Sequence, residues 1–190
     1  MVVGNMVGKL TAHIARQVIN LKSFCIGNSL GAHLCGFIGK EHKLTGIIGL
    51  DPAGPIFKTN SKENRLNKGD ATAVHVFHSS TYYLGIKRPI GHVDFYINGG
   101  RRQRWRCGWE LSDSEILGLT ICSHHFAAAL FLYATSIQEY YPNTFCATNI
   151  FCRIRSATQI ISGSGDLASR FEERSSTGNS KVYRTIIQYV

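Results

Sequence analysis

Residues 23–40 read SFCIGNSLGAHLCGFIGK, and the change of pattern inside that stretch decides the fold. Residues 23–27 are a short apolar run rich in strand formers, the composition of a buried strand. From there on, Leu30, Leu34, Phe37 and Ile38 fall on one face of a 3.6-residue repeat, so a helix follows. Gly27, Ser29 and Gly31 stand at the join. The next apolar run, Leu44 to Leu50, ends at Asp51-Pro52, where proline halts a strand. Strand, helix and strand in that order predict a parallel βαβ unit and an α/β fold class.

Upstream, Leu10, Ile14, Val18 and Leu21 recur at helical spacing, which predicts an amphipathic helix over 7–21 packed inside a fold. Met1 to Leu10 lacks the apolar run of a signal peptide. Downstream, residues 56–71 carry Lys58, Lys62, Glu63, Arg65, Lys68 and Asp70 and read as a long surface loop. Strands are predicted at 72–78 and around 90–97. Phe126, Leu130, Tyr133 and Ile137 predict a helix over 123–140, and 181–190 reads as a strand. Neither repeats nor low-complexity tracts interrupt the chain, so 1–190 is read as one domain.

Composition narrows the function classes. Hydrophobic residues make up 44% and charged residues 17%, which is globular rather than disordered. No stretch approaches the ~20 apolar residues of a spanning helix, so the chain is not expected to cross a membrane. The net charge is +9, with the densest cluster at Arg101, Arg102, Arg104 and Arg106 around Trp105. That cluster reads as a solvated basic loop. No helix-turn-helix, zinc finger or RNP-like motif accompanies it, so no nucleic-acid partner is expected. The 6 cysteines suit a secreted protein better than a cytosolic one. Their spacing lacks the tight pairs of a structural zinc site. Disulfides are expected among Cys107, Cys122, Cys146 and Cys152, whereas Cys25 and Cys35 read as buried small apolar residues.

Glycine-flanked Ser29 between a strand and a helix has the form of a nucleophile elbow, with both glycines relieving crowding at the turn. The N–H of Leu30 would then be one oxyanion-hole donor. Such a serine needs an imidazole base and a carboxylate to orient it, following in the order Ser, acid, His. Asp51 ends the next strand, where α/β sheets place functional groups, and reads equally as a turn-forming Asp-Pro. Spacing alone does not choose among the 8 histidines. His124, at a loop-to-helix junction beside Cys122, is the most attractive. His33 and His42 read as helix-surface residues, and His75, His78 and His92 as structural.

Four blocks, IGNSLGAHLCGFIGK (26–40), GLDPAGPIF (49–57), IGHVDFYINGG (90–100) and CSHHFAAALFLYATSI (122–137), resemble in order and spacing the animal pancreatic-type lipases and phospholipases A1. The resemblance implies a partial α/β-hydrolase fold and a triad of Ser29, Asp51 and His124. It also implies disulfides Cys107–Cys122 and Cys146–Cys152. The first would close a lid bearing Trp109, Leu111, Ile116, Leu117 and Leu119. The implied activity is hydrolysis of lipid esters at a membrane or lipid-droplet interface, extracellularly and without a cofactor. A catalytically silent lipid-binding relative is the alternative.

The sequence departs from the family pattern in three places. Asn28 stands where a ring usually precedes the serine. Lys62 and Asn67 replace carboxylates of the calcium loop found in some members, leaving Arg65 and Asp70, so no metal is expected. Strands that normally precede the nucleophile strand, and a C-terminal β-sandwich, are not recognisable, so a shortened single domain is expected.

Overall fold

The computed structural model of the chain describes residues 1–57, 61–103, 107, 113–137, 169–175 and 181–187. Among these residues six strands form one sheet: β1 (Phe24–Asn28), β2 (Leu44–Leu50), β3 (Ala71–His78), β4 (Val93–Ile97), β5 (Ser169–Ser175) and β6 (Lys181–Ile187). Their spatial order is β1-β2-β3-β4-β6-β5. Every neighbouring pair is parallel except β5 with β6, so an antiparallel strand closes one edge. Among the described residues three α-helices accompany the sheet: α1 (Val2–Gln17), α2 (Leu30–Glu41) and α3 (Asp113–Ile137).

Strand alternation distributes side chains to two cores. Ile47, Val74 and Val76 point to one face and pack with Ala32, Cys35 and Ile38 of α2. Ile48, Leu50, Phe77 and Phe95 point to the other and pack with Phe126, Leu130 and Phe131 of α3. Burial on both faces explains why these strands read as nearly continuous apolar runs. The result is a three-layer α/β architecture, a sheet with α2 and α3 on opposite faces.

Several expectations need correction. Helix α1 spans 2–17, and Leu10, Ile14 and Val18 are exposed rather than packed inward. Its contact with α2 runs instead through Gly4 and Gly8. A Cβ at Gly4 would stand 2.5 Å from Phe37 Cβ, and one at Gly8 2.6 Å from Glu41 Cβ, so backbone approach replaces side-chain packing. The polar stretch 61–70 is not a surface loop. It folds as two 3-10 turns that bury Arg65, Leu66 and Asp70.

Cys25 and Cys35 are not free apolar residues either. They form a disulfide with a Cα–Cα separation of 5.6 Å. Helix α2 turns back over the strand it follows, which brings its second turn onto β1. A loop this short stabilises the fold by about 2–3 kcal/mol in the chain-entropy treatment. Cys107 and Cys122 form the other disulfide among the described residues. Cys146 and Cys152 lie outside the described residues.

Candidate active site

Ser29, Asp51 and the peptide following β3 all lie at the C-terminal ends of parallel strands, the edge where α/β folds place their chemistry. Ser29 leaves β1 with φ 57° and ψ −119°, a conformation costly for a residue with a side chain. Backbone bonds hold it there: Ser29 N–H donates to Leu50 O at 2.9 Å, and Ser29 O accepts from Ala53 N–H at 3.2 Å. Only one flanking glycine is sterically demanded by its own position. A Cβ at Gly27 would lie 2.2 Å from Gly31 O, whereas a Cβ at Gly31 would meet open space. Leu30 begins α2, so its N–H is among the helix amides without an intrahelical acceptor and lies beside the Ser29 side chain.

The three residues singled out by order and position meet in space. His124 Nε2 lies 2.6 Å from Ser29 Oγ, and His124 Nδ1 lies 2.6 Å from Asp51 Oδ2. Asp51 is fully buried and His124 nearly so. The second Asp51 oxygen accepts N–H bonds from Ser79 at 2.8 Å and Ser80 at 3.1 Å, which fixes the carboxylate in rotation. A carboxylate at Nδ1 requires a proton there, so Nε2 is left to accept the Ser29 hydroxyl. Gly85 is crowded against the same group, with its hypothetical Cβ 2.5 Å from Asp51 Oδ1.

Residues that no motif marks hold this geometry together. Gln103 is buried, and its amide donates to Ser79 O, Ile97 O and Arg101 O at 3.0, 3.1 and 2.6 Å. Its backbone N–H reaches Ser123 Oγ at 2.9 Å, one residue before His124. Gln103 thus couples the peptide cradling Asp51 to the helix carrying the imidazole. Asn28, where the family pattern has a ring, donates to Leu50 O at 2.9 Å and accepts from His125 Nδ1 at 3.1 Å. The Cys25–Cys35 bridge encloses the turn that carries Ser29.

The other histidines are structural. His78 pairs with Asp94 at 2.8 Å in full burial, His75 is half-buried in β3, and His92 Nδ1 accepts from Val74 N–H at 3.0 Å. His42 is half-buried just past α2, whereas His33, expected on the helix surface, is 1% exposed. Its Nδ1 accepts from Leu66 N–H at 3.1 Å, so Nε2 carries the proton and donates to Ala53 O at 2.9 Å. Phe57 stacks on the ring at 3.9 Å. Burial lowers the His33 pKa from 6.5 to about 4; the Ala53 bond opposes this, and Arg65 and Lys40 reinforce it.

A pH dependence follows. The unfolded chain takes up this proton below about pH 6.5, whereas the folded chain does not until about pH 4. The His33 contribution is therefore intact above pH 6.5 and is lost as pH falls towards 4. Burial depresses His75 and His92 in the same direction, while Asp70, pushed up by burial, acts oppositely. Thermal melts followed by circular dichroism are expected to fall in Tm between pH 7 and 4, and less steeply for His33→Gln. Equal slopes for both chains would refute this assignment.

The remaining part of the calcium loop does not fit a calcium ion. Lys40 Nζ takes Asp70 Oδ1 and Oδ2 at 2.7 and 2.8 Å and Arg65 O at 2.9 Å, filling the oxygen set with an ammonium. In the proposed lid, Trp109 and Leu111 lie outside the described residues, as does the side chain of Ile116. Residues 113–121 are the first turns of α3, where Leu117 is 62% exposed and Leu119 is buried.

A sequence model of the family described as "Lipase" matches residues 1–149. The chain belongs to the lipase family. Lipase member H of Rattus norvegicus is 37% identical over 148 residues, covering 77% of this chain and 32% of that protein. The Oryctolagus cuniculus lipase member H is 52% identical over 118 residues, covering 61% of this chain and 25% of that protein. Phospholipase A1 of Vespula squamosa is 52% identical over 84 residues, covering 41% of this chain and 28% of that protein. This lipase-family chain therefore spans about a third or less of the length of these relatives.

Proposed function

We propose that this lipase-family chain hydrolyses carboxylic esters of lipids, as a phospholipase A1 or triacylglycerol lipase, with Ser29 as nucleophile. The observation that carries the reading is the single imidazole of His124 lying 2.6 Å from both Ser29 Oγ and Asp51 Oδ2. His124 Nε2 takes the Ser29 proton as Oγ attacks the ester carbonyl. The oxyanion forms against the Leu30 N–H at the positive end of α2. His124 then delivers its proton to the departing alkoxide. Water, activated by the same imidazole, releases the acid from the acyl-serine. The Asp51 carboxylate orients the imidazole and stabilises the imidazolium as it forms.

The segment enclosed by Cys107–Cys122 serves as the lid, presenting Leu117 to lipid. Two disulfides suit an oxidising compartment, so the place of action is extracellular. Among the described residues no helix is long and apolar enough to cross a membrane.

The test is labelling with an active-site fluorophosphonate alongside hydrolysis of a short-chain nitrophenyl ester. Covalent labelling with ester turnover is expected. A folded chain that neither labels nor turns over would instead be the lipid-binding, catalytically silent relative.

A further inference from the structure

The loops leaving β3 and β4 carry cations stacked on tyrosines, and the ester chemistry has no use for them. Lys87 Nζ sits 5.2 Å from the Tyr82 ring centre, and the Arg101 guanidinium 5.7 Å from the same ring. Arg102 lies 4.2 Å from the ring of Tyr83. Both tyrosines are well exposed, at 52% and 42%, and Lys87, Arg88 and Arg101 are exposed beside them. From Ser79 to Gln103 the one acidic residue is Asp94, which is fully buried and engaged with His78 and the N–H groups of Ile90 and Gly91. These loops therefore hold no exposed acid to neutralise the patch.

The cations are also pre-positioned. Thr81 bonds Gly100 through N–H and hydroxyl, both at 2.8 Å. Tyr96 Oη donates to Lys87 O at 2.7 Å, and Gln103 to Arg101 O at 2.6 Å. The backbone bearing each cation is thus fixed, and like charges from two loops are brought to one ring. The same loop begins with Ser79 and Ser80, which cradle Asp51, so the patch belongs to the sheet edge that carries Ser29.

We propose that the 82–88 and 101–102 loops form a docking surface for an anionic phospholipid bilayer, seating the Ser29 opening on the membrane. The proposal rests on the ester-hydrolase reading for its purpose, though not for its chemistry. Tyrosines sit at the headgroup level of bilayers, and flanking lysines and arginines pair with lipid phosphates. Apolar residues near Ser29 and His124 favour a bilayer over a nucleic acid. Leu30 is 62% exposed, Leu117 62% and Ile121 44%, and a polyanion in water would leave them uncovered.

The experiment is co-sedimentation of the 190-residue chain with vesicles of phosphatidylcholine alone and of phosphatidylcholine mixed with phosphatidylglycerol. The wild-type chain is expected to prefer the mixed vesicles, and to lose that preference at high salt. Lys87→Gln with Arg101→Gln is expected to weaken partition onto the mixed vesicles by roughly 20–30-fold, about five-fold per cation. Lys9→Gln with Lys22→Gln removes the same charge from exposed sites before β1 and is expected to change it less than two-fold. Circular dichroism confirms that each variant is folded.

Equal partition onto both vesicles, or equal losses from the two double variants, would overturn the proposal. So would an oligonucleotide that displaces the vesicles through Lys87 and Arg101. Nitrophenyl-ester hydrolysis, measured in parallel, keeps the two readings separate. Docking without turnover would sink the ester-hydrolase reading alone, and turnover without docking would sink this one alone.

Discussion

Replacing Ser29 with alanine is expected to abolish fluorophosphonate labelling and to lower kcat on a nitrophenyl ester by about 10⁶-fold, the loss typical of a serine nucleophile. The geometry makes this a test of chemistry rather than of folding. The Ser29 hydroxyl has His124 Nε2 as its hydrogen-bond partner at 2.6 Å, and the residue is only half-buried. Alanine therefore leaves that nitrogen open to water, at a stability cost expected below about 1 kcal/mol. The backbone supplies a control, because Ser29 holds φ 57°, where any Cβ is strained. Glycine at 29 should be equally inactive yet about 1 kcal/mol more stable than alanine, because the strained φ costs it less. Activity of Ser29→Ala within ten-fold of the wild-type chain would exclude Ser29 as the nucleophile.

The parts of this site legible in the sequence are those in which one residue type implies a local shape. Ser29 flanked by Gly27 and Gly31, between an apolar run and a helical repeat, specifies a sharp strand-to-helix turn, and the turn is there, although only Gly27 is crowded in it. The end of the next apolar run placed Asp51 at the same sheet edge. His124 came from the required order of partners and from its position beside a cysteine at a helix start. In each instance a local pattern and a topological rule agreed.

What stayed hidden depends on approach between segments distant in sequence. Leu10, Ile14 and Val18 have helical spacing, but the packing face of α1 is set by Gly4 and Gly8, which a hydrophobic pattern does not register. Charges in 61–70 outweighed the single Leu66, although Leu66 is fully buried and its N–H holds His33. The Cys25–Cys35 bridge exists because α2 folds back on β1, a closeness that spacing along the chain does not reveal. Gln103 belongs to no motif, and its role appears only once Ser79, Ile97 and Ser123 converge on it. Strand β5, SRFEERS, has no apolar alternation from which to read it.

Asp51→Asn is expected to cost about 10⁴-fold in kcat, the size of loss produced when a triad carboxylate becomes an amide. Here the backbone dictates the outcome. Ser79 and Ser80 both present N–H donors to Oδ1 of residue 51, and only an oxygen satisfies them. The asparagine oxygen is thus drawn to those amides, and its NH₂ is turned towards His124 Nδ1. That nitrogen, protonated when it faces a carboxylate, must now accept. The imidazole proton moves to Nε2, which can no longer take the proton of Ser29. Room to rotate out of this arrangement is lacking, because residue 51 is fully buried and Gly85 presses on the same atom. The fold should survive, since both N–H donors keep an acceptor. Labelling by the fluorophosphonate should slow in proportion to kcat, because both reactions draw on the same serine. A variant that loses less than about ten-fold in both would mean that the imidazole does not depend on Asp51 for its tautomer.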